Sequence, residues 1–249
     1  MVRPIQLALG AAVLSVLALL VPVAAQELPR ITIESAMPGV RVESVFVPGS
    51  PPDFEVPPGS VTPGYQRLRF TNYFSGTFDL DEYSQPEIWV LRMDELAAYG
   101  WDTTANELIL LLALRPNLAQ MRKLPYLPLV NAEQVFHAQE QTMGFASGSG
   151  IRYIAYFSQS ANPIEDNQLI YTYQGVTSDR QYYVTAQLPI AAKLPPPPPG
   201  LFDIEDPDFI PAYRVYLAEI VNRLQVTDPN AFTPPLPQLD ATIQSLTIR

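Results

Sequence analysis

Cysteine is absent, histidine occurs once, at His137, and the 15 Lys and Arg are outnumbered by 25 Asp and Glu. Each scarcity removes a class of function. Without cysteine there are no disulfide staples, no thiolate nucleophile and no lipid-modified cysteine at a processing site. One imidazole cannot build a multi-histidine metal centre, and a Ser-His-acid triad would need His137 beside an activated serine, for which no G-x-S-x-G elbow exists. The sequence thus leaves His137 as a surface or sheet-edge side chain. The glycines of GSG at 148–150 are not followed by the Lys-Ser/Thr of a phosphate loop, and the motif reads as a tight hairpin turn. No cofactor motif remains. The acid excess sets the chain against nucleic acid and anionic lipid, which would repel it.

What is present begins with MVRPIQLALGAAVLSVLALLVPVAAQE. Arg3 precedes an uncharged apolar run from Ile5 to Ala25, with small residues at Val23 and Ala25 just before Gln26. This is the layout of a secretory signal over residues 1–25. The run approaches the roughly 20 residues that span a bilayer, but Pro22 and the small residues after it suit cleavage better than a continuing helix. The expectation is a secreted or periplasmic protein with no stable membrane span after cleavage. Removing residues 1–25 takes away Arg3 and no acid, so the net charge moves from −10 to −11.

The 27 prolines cluster at 48–64, 124–128, 194–200 and 233–237, which marks loops between folded pieces of a chain otherwise rich in aromatic and branched residues. Residues 26–64 read as an N-terminal hairpin (RITIES, RVESVFV) followed by a proline-rich segment, and 65–249 as a single α+β domain with a stiff spacer near 194–200. YQRLRFTNYF and EIWVLRM alternate as strands. Thr104 and Glu107 have capping-box spacing ahead of ELILLLALR, a helix apolar enough to be buried on most sides, with Leu108, Leu111, Leu112 and Leu114 as core candidates. Residues 135–145 favour a strand over a helix.

The stretch 144–190 organises the rest as three consecutive antiparallel strands. IRYIAYF is apolar on both faces and should be covered on both. In the following hairpin Leu169, Tyr171 and Tyr173 face Tyr182, Val184, Ala186 and Leu188, with a turn over 177–180, while Thr172, Gln174, Thr185 and Gln187 share the opposite, wetter face. That polar face is the candidate binding surface. Pro211 opens an amphipathic helix with Tyr213, Tyr216 or Leu217, Ile220 and Leu224 inward, and Leu236, Leu239, Ile243 and Leu246 have helical spacing in a last one.

Three further groupings carry chemistry in principle. The tyrosines Tyr153, Tyr156, Tyr171, Tyr173, Tyr182 and Tyr183 offer rings for stacking on a sugar or peptide, although half-buried sheet tyrosines are commoner. The acids Asp79, Asp81 and Glu82 supply carboxylates for polysaccharide hydrolysis or, like DIEDPD at 203–208, oxygen ligands for calcium. Neither cluster has the Asp spacing and glycine of an EF-hand loop, and solvated acidic loops are their default reading.

The order IRYIAYF, LIYTYQG, QYYVTAQLPI, a proline-containing crossover, an amphipathic helix and LDATIQSLTI resembles the C-terminal half of Mog1/PsbP-like proteins, and also uncharacterised secreted bacterial proteins. The likeness spans roughly residues 133–249 and includes a terminal helix leading to a serine, here Ser245, before a short apolar run. It implies an antiparallel sheet flanked by helices and a non-enzymatic binding or assembly role, with no residue-by-residue site to carry over. The sequence therefore points to an α+β accessory or binding protein outside the cytoplasmic membrane, with a protein or saccharide partner and no cofactor or metal. A cell-envelope polysaccharide hydrolase and a calcium-dependent adhesion protein are the alternatives.

Overall fold

The computed structural model describes residues 28–53, 55–57, 59–74, 85–203 and 205–249. The apolar run 5–25 and the acids Asp79, Asp81 and Glu82 lie outside them. Among the described residues no helix is long and apolar enough to cross a membrane.

Seven strands form one antiparallel sheet: β2 (Arg41–Val47), β3 (Tyr65–Thr71), β4 (Glu87–Arg92), β5 (Glu133–Phe145), β6 (Gly148–Ser158), β7 (Leu169–Thr177) and β8 (Tyr182–Ile190). Their spatial order is β2-β3-β4-β8-β7-β6-β5. The β5-β6-β7-β8 meander is built from hairpins with the register that side-chain alternation predicts, Tyr171 opposite Leu188 and Gln174 opposite Thr185. Its last turn is held by Asp179, whose carboxylate accepts from the Thr177 hydroxyl at 2.6 Å and the Gln181 N–H at 3.0 Å. The fold class is α+β, as the sequence leads one to expect.

Helices cover both faces. On one side α2 (Phe209–Val226) and α3 (Leu236–Gln244) pack Tyr216, Ile220, Leu224, Leu239 and Ile243 against Ile154, Tyr171, Tyr173, Val184, Ala186 and Leu188. On the other, α1 (Asp102–Leu114) and the segment 118–130 pack Trp101, Leu108, Leu111, Leu124 and Leu127 against Leu91, Ile151, Tyr153, Ala155, Val176 and Tyr183. IRYIAYF in β6 is thus buried on both faces. Burial of this much apolar surface is the main stabilising term.

Arg152 points into the α3 side and is 4% exposed. Its guanidinium bridges both carboxylate oxygens of Asp240 at 3.1 Å, donates to Gln141 Oε1 at 2.8 Å and also reaches the Gln139 carbonyl. Tyr171 donates to the same carboxylate at 2.8 Å. A buried charge needs such a full set of partners, and this set fixes α3 on the sheet.

Several local expectations are corrected. RITIES and RVESVFV do not pair with each other: β1 (Ile31–Thr32) pairs with β9 (Thr247–Ile248) at the opposite end of the chain, and β2 adds to the sheet edge beside β3. Ser245 ties that closure, accepting the Glu34 N–H at 2.9 Å. Helix α1 starts at Asp102 after Trp101, so Thr104 and Glu107 lie inside it and form no capping box. It is the outermost layer on its face, so Leu108 and Leu111 are buried, Leu112 is half-buried, and Leu114 stands 69% exposed. GSG at 148–150 is strand, not turn: the chain reverses at 146–147. A Cβ on Gly148 or Gly150 would lie 2.1 Å from the Val176 carbonyl oxygen or 2.2 Å from that of Gln174, so close strand approach is the reason for both glycines.

Candidate functional site

The polar face singled out for binding is closed by the protein itself. Thr172 and Gln174 are 0% exposed and Thr185 is 1% exposed. Gln187, opposite Glu87 on β4, is half-buried at the end of the same row. What covers the row is LPYLP at 124–128. Its prolines have no N–H, so it cannot join a sheet as a ladder strand. Side chains of the sheet take its remaining backbone groups instead. Gln174 Oε1 accepts the Leu127 N–H at 3.0 Å while its Nε2 reaches the Leu127 carbonyl at 3.2 Å. Thr185 donates to that carbonyl at 2.5 Å, Tyr153 to the Pro125 carbonyl at 2.8 Å, and Gln134 Oε1 accepts the Leu124 N–H at 2.8 Å. The Gln174 amide is completed by Thr172 at 2.9 Å, Thr185 at 2.8 Å and the Tyr183 hydroxyl at 2.8 Å. The polar row is a receptor for a peptide backbone, and that backbone is residue 127 of the same chain.

The tyrosines do not line an open platform either. Tyr153, Tyr171, Tyr173 and Tyr183 are 0% exposed and Tyr156 is buried, leaving only Tyr182 half-exposed among the six. Burial drives the hydroxyls of Tyr153, Tyr171 and Tyr183 well above the ordinary tyrosine range, so they serve as neutral hydrogen-bonding groups.

His137 lies on the edge strand, as read from sequence, but it is buried rather than on the surface. Its Nδ1 meets Glu140 Oε1 at 2.5 Å and its Nε2 meets the Met121 carbonyl at 2.9 Å. Both partners are acceptors, which suits the doubly protonated ring. Burial alone would lower the His137 pKa; the hydrogen bonds to Glu140 and Met121 and the Glu140 charge outweigh it and raise the value. Glu140 is raised by burial but lowered more by its bonds to His137, its own backbone and Gln225, and by the His137 charge. The pair sits where β5 shifts register between Ala138 and Gln141. In that bulge Gln139 takes φ 57° and its side chain caps α2, donating to the Leu224 carbonyl at 2.9 Å and the Thr227 carbonyl at 3.0 Å. His137 and Glu140 thus form an ion pair, and among the described residues no serine or threonine hydroxyl bonds to His137 as a nucleophile would.

A groove of about 930 Å³ lies between segment 122–135, the β6 end at 158–161 and the first turns of α2. Val135, Ala161 and Leu217 give it an aliphatic lining; Asn131, Ser158, Gln159 and Ser160 bring neutral donors and acceptors. Glu133 is engaged by Lys123 at 3.1 Å and Arg122 at 3.9 Å, and Gln159 donates to the Asn131 carbonyl at 2.5 Å. Arg214, on α2, makes no ion pair among the described residues. A smaller, mainly apolar pocket of about 330 Å³ lies at the other end of the sheet, between Leu28, Phe46, Val90 and Tyr182. The groove is assembled from three segments far apart in sequence, one of them the loop SQSAN, so alternation and motif spacing gave no signal for it.

Comparison of the chain with protein-family models, with curated proteins and with solved structures finds no match. The groove's own chemistry is therefore what bears on function. Its aliphatic side chains, the neutral amides and hydroxyls beside them, and Arg214, unpaired by any acid among the described residues, suit a chain-like ligand with hydroxyls or amides, and the size is that of small-molecule sites.

Proposed function

We propose that the chain is a non-enzymatic accessory or binding protein, exported beyond the cytoplasmic membrane, and that it holds a saccharide or an extended peptide of a partner in the groove between 122–135, 158–161 and α2. One observation carries the reading: Asn131, Gln159, Ser160 and Arg214 stand exposed along the groove, whereas His137 and five of the six tyrosines are buried inside the protein. The strand-order resemblance to Mog1/PsbP-like binding and assembly factors points the same way, and the signal-like layout of residues 1–25 supports an exported location.

The test is a binding screen of the mature chain on immobilised cell-envelope oligosaccharides and an extended-peptide library, repeated with Arg214→Ala and Gln159→Ala. A ligand whose affinity falls about tenfold in either variant supports the groove. Binding untouched by both variants removes the groove as the site, and release of cleaved product, followed by mass spectrometry in the same incubations, overturns the non-enzymatic assignment.

A further inference from the structure

The run LPPPPPG at 194–200 reads in sequence as a spacer, yet it separates nothing. Leu194 and Leu201, at its two ends, are 8% and 7% exposed and bury in the same core as α2 and α3. The entry is pinned by Asp166, which accepts the Leu194 N–H on Oδ1 at 2.8 Å and the Ala192 N–H on its carbonyl at 2.9 Å. The exit is pinned by the Leu201 N–H on the Pro198 carbonyl at 3.1 Å. Between these anchors five prolines arch over one continuous domain.

Proline fixes φ, and a residue followed by proline is held extended, so 194–198 is sterically confined to the polyproline II helix with about three residues per turn. Leu194 is buried, Pro195 and Pro197 are half-buried, and Pro196, Pro198 and Pro199 are exposed. Pro196 and Pro199, one turn apart, form an outward ridge with Pro198 beside it. The carbonyls of Pro195, Pro196 and Pro197 accept no hydrogen bond among the described residues, leaving a row of acceptors along that ridge. The flanks differ in charge: Lys193 on one side, and exposed Asp203, Glu205, Asp206 and Asp208 on the other.

We infer that residues 194–201 are a preorganised polyproline ligand, displayed to a partner protein whose groove is lined with aromatic side chains and rimmed with basic groups at the end that meets 203–208. Aromatic walls take proline rings between them, ring N–H and O–H donors take the free carbonyls, and the ordering cost of an extended ligand has been met beforehand. The opposite charges of the flanks select one direction of docking. This surface is separate from the proposed groove, and each stands without the other.

The test titrates the mature chain into isotope-labelled SH3, WW and EVH1 domains, three readers of polyproline, with the peptide KLPPPPPGLFDIEDPD as reference. At least one domain should bind chain and peptide with affinities within tenfold of each other, with shifts on its groove aromatics. Pro196→Ala with Pro199→Ala, the exposed pair one turn apart, should weaken binding at least fivefold, and Pro198→Ala at least twofold, at unchanged melting temperature. The inference is overturned if no domain binds the peptide, if the peptide binds and the folded chain does not at millimolar domain, or if Pro196→Ala with Pro199→Ala leaves binding of the folded chain unchanged.

Discussion

Replacing Gln174 by leucine tests whether the polar row of the sheet is an internal receptor or an open binding face. The change keeps side-chain size and removes an amide that is 0% exposed. Two buried groups lose their acceptor: the Leu127 N–H, at 3.0 Å, and the Tyr183 hydroxyl, at 2.8 Å. The Leu127 carbonyl keeps Thr185 at 2.5 Å, so it is not orphaned. An unsatisfied buried donor costs about 1–3 kcal/mol, and the added apolar burial returns about 1 kcal/mol. Two such donors cost about 2–6 kcal/mol, so the expected net loss is about 1–5 kcal/mol. With a urea m-value of about 2 kcal/mol/M, the midpoint should fall by about 0.5–2.5 M, followed by the fluorescence of Trp89 and Trp101 and by circular dichroism. Gln187→Leu, in the same row but half-buried, serves as the control and should stay within about 0.5 kcal/mol of the parent. If Gln174→Leu unfolds with the parent midpoint while a bound ligand is lost, the row is a binding face after all and the closure by Leu127 is wrong.

The His137–Glu140 pair gives stability a pH signature. The raised His137 value makes its contribution complete below the ordinary 6.5 and lost as pH rises through the folded-state value, and the lowered Glu140 value makes its own complete above 4.5 and lost as pH falls. Melting temperature should therefore crest between those limits, and Glu140→Gln should flatten both slopes; an unaltered profile in that variant refutes the pair. For the Arg152–Asp240 bridge, Asp240→Leu should cost about 3–5 kcal/mol by stranding a buried guanidinium, and adding Arg152→Met should recover most of it in a urea double-mutant cycle; equal losses in single and double variants would contradict this. On α1, Leu108→Ala should cost about 2–5 kcal/mol and Leu114→Lys within about 0.5 kcal/mol, and equal costs would mean that the helix is covered on both sides.

Local chemistry settled much of this molecule. Alternation placed the strands of the meander and their register because a side-chain period of two leaves one pairing that buries Tyr171, Tyr173, Val184 and Leu188 together. Spacing of three and four placed Tyr213, Ile220 and Leu224 on one face of α2. The same rules misplaced whatever depended on a third element. Thr172, Gln174 and Thr185 have the alternation of a solvated face, yet Leu127, 47 residues before Gln174, covers the row, its N–H and carbonyl bonded by Gln174 and its carbonyl by Thr185, while Thr172 bonds Gln174. Leu110 and Leu114 are as apolar as Leu108 and Leu111, and only their position in the outermost layer leaves them in solvent. The groove has no sequence signature because three separated segments converge to make it.

By itself, then, the sequence determined an α+β chain with an antiparallel meander, amphipathic α2 and α3, and no cysteine chemistry, because those follow from periodicity and composition. Tertiary structure alone decided which polar face is covered, that β1 closes on β9, that His137 is paired with Glu140, and that the five prolines form an arch on one core. The reason is physical: hydrophobic period is written residue by residue, whereas the partner of a buried polar group is whichever distant segment the packed fold brings within hydrogen-bond reach.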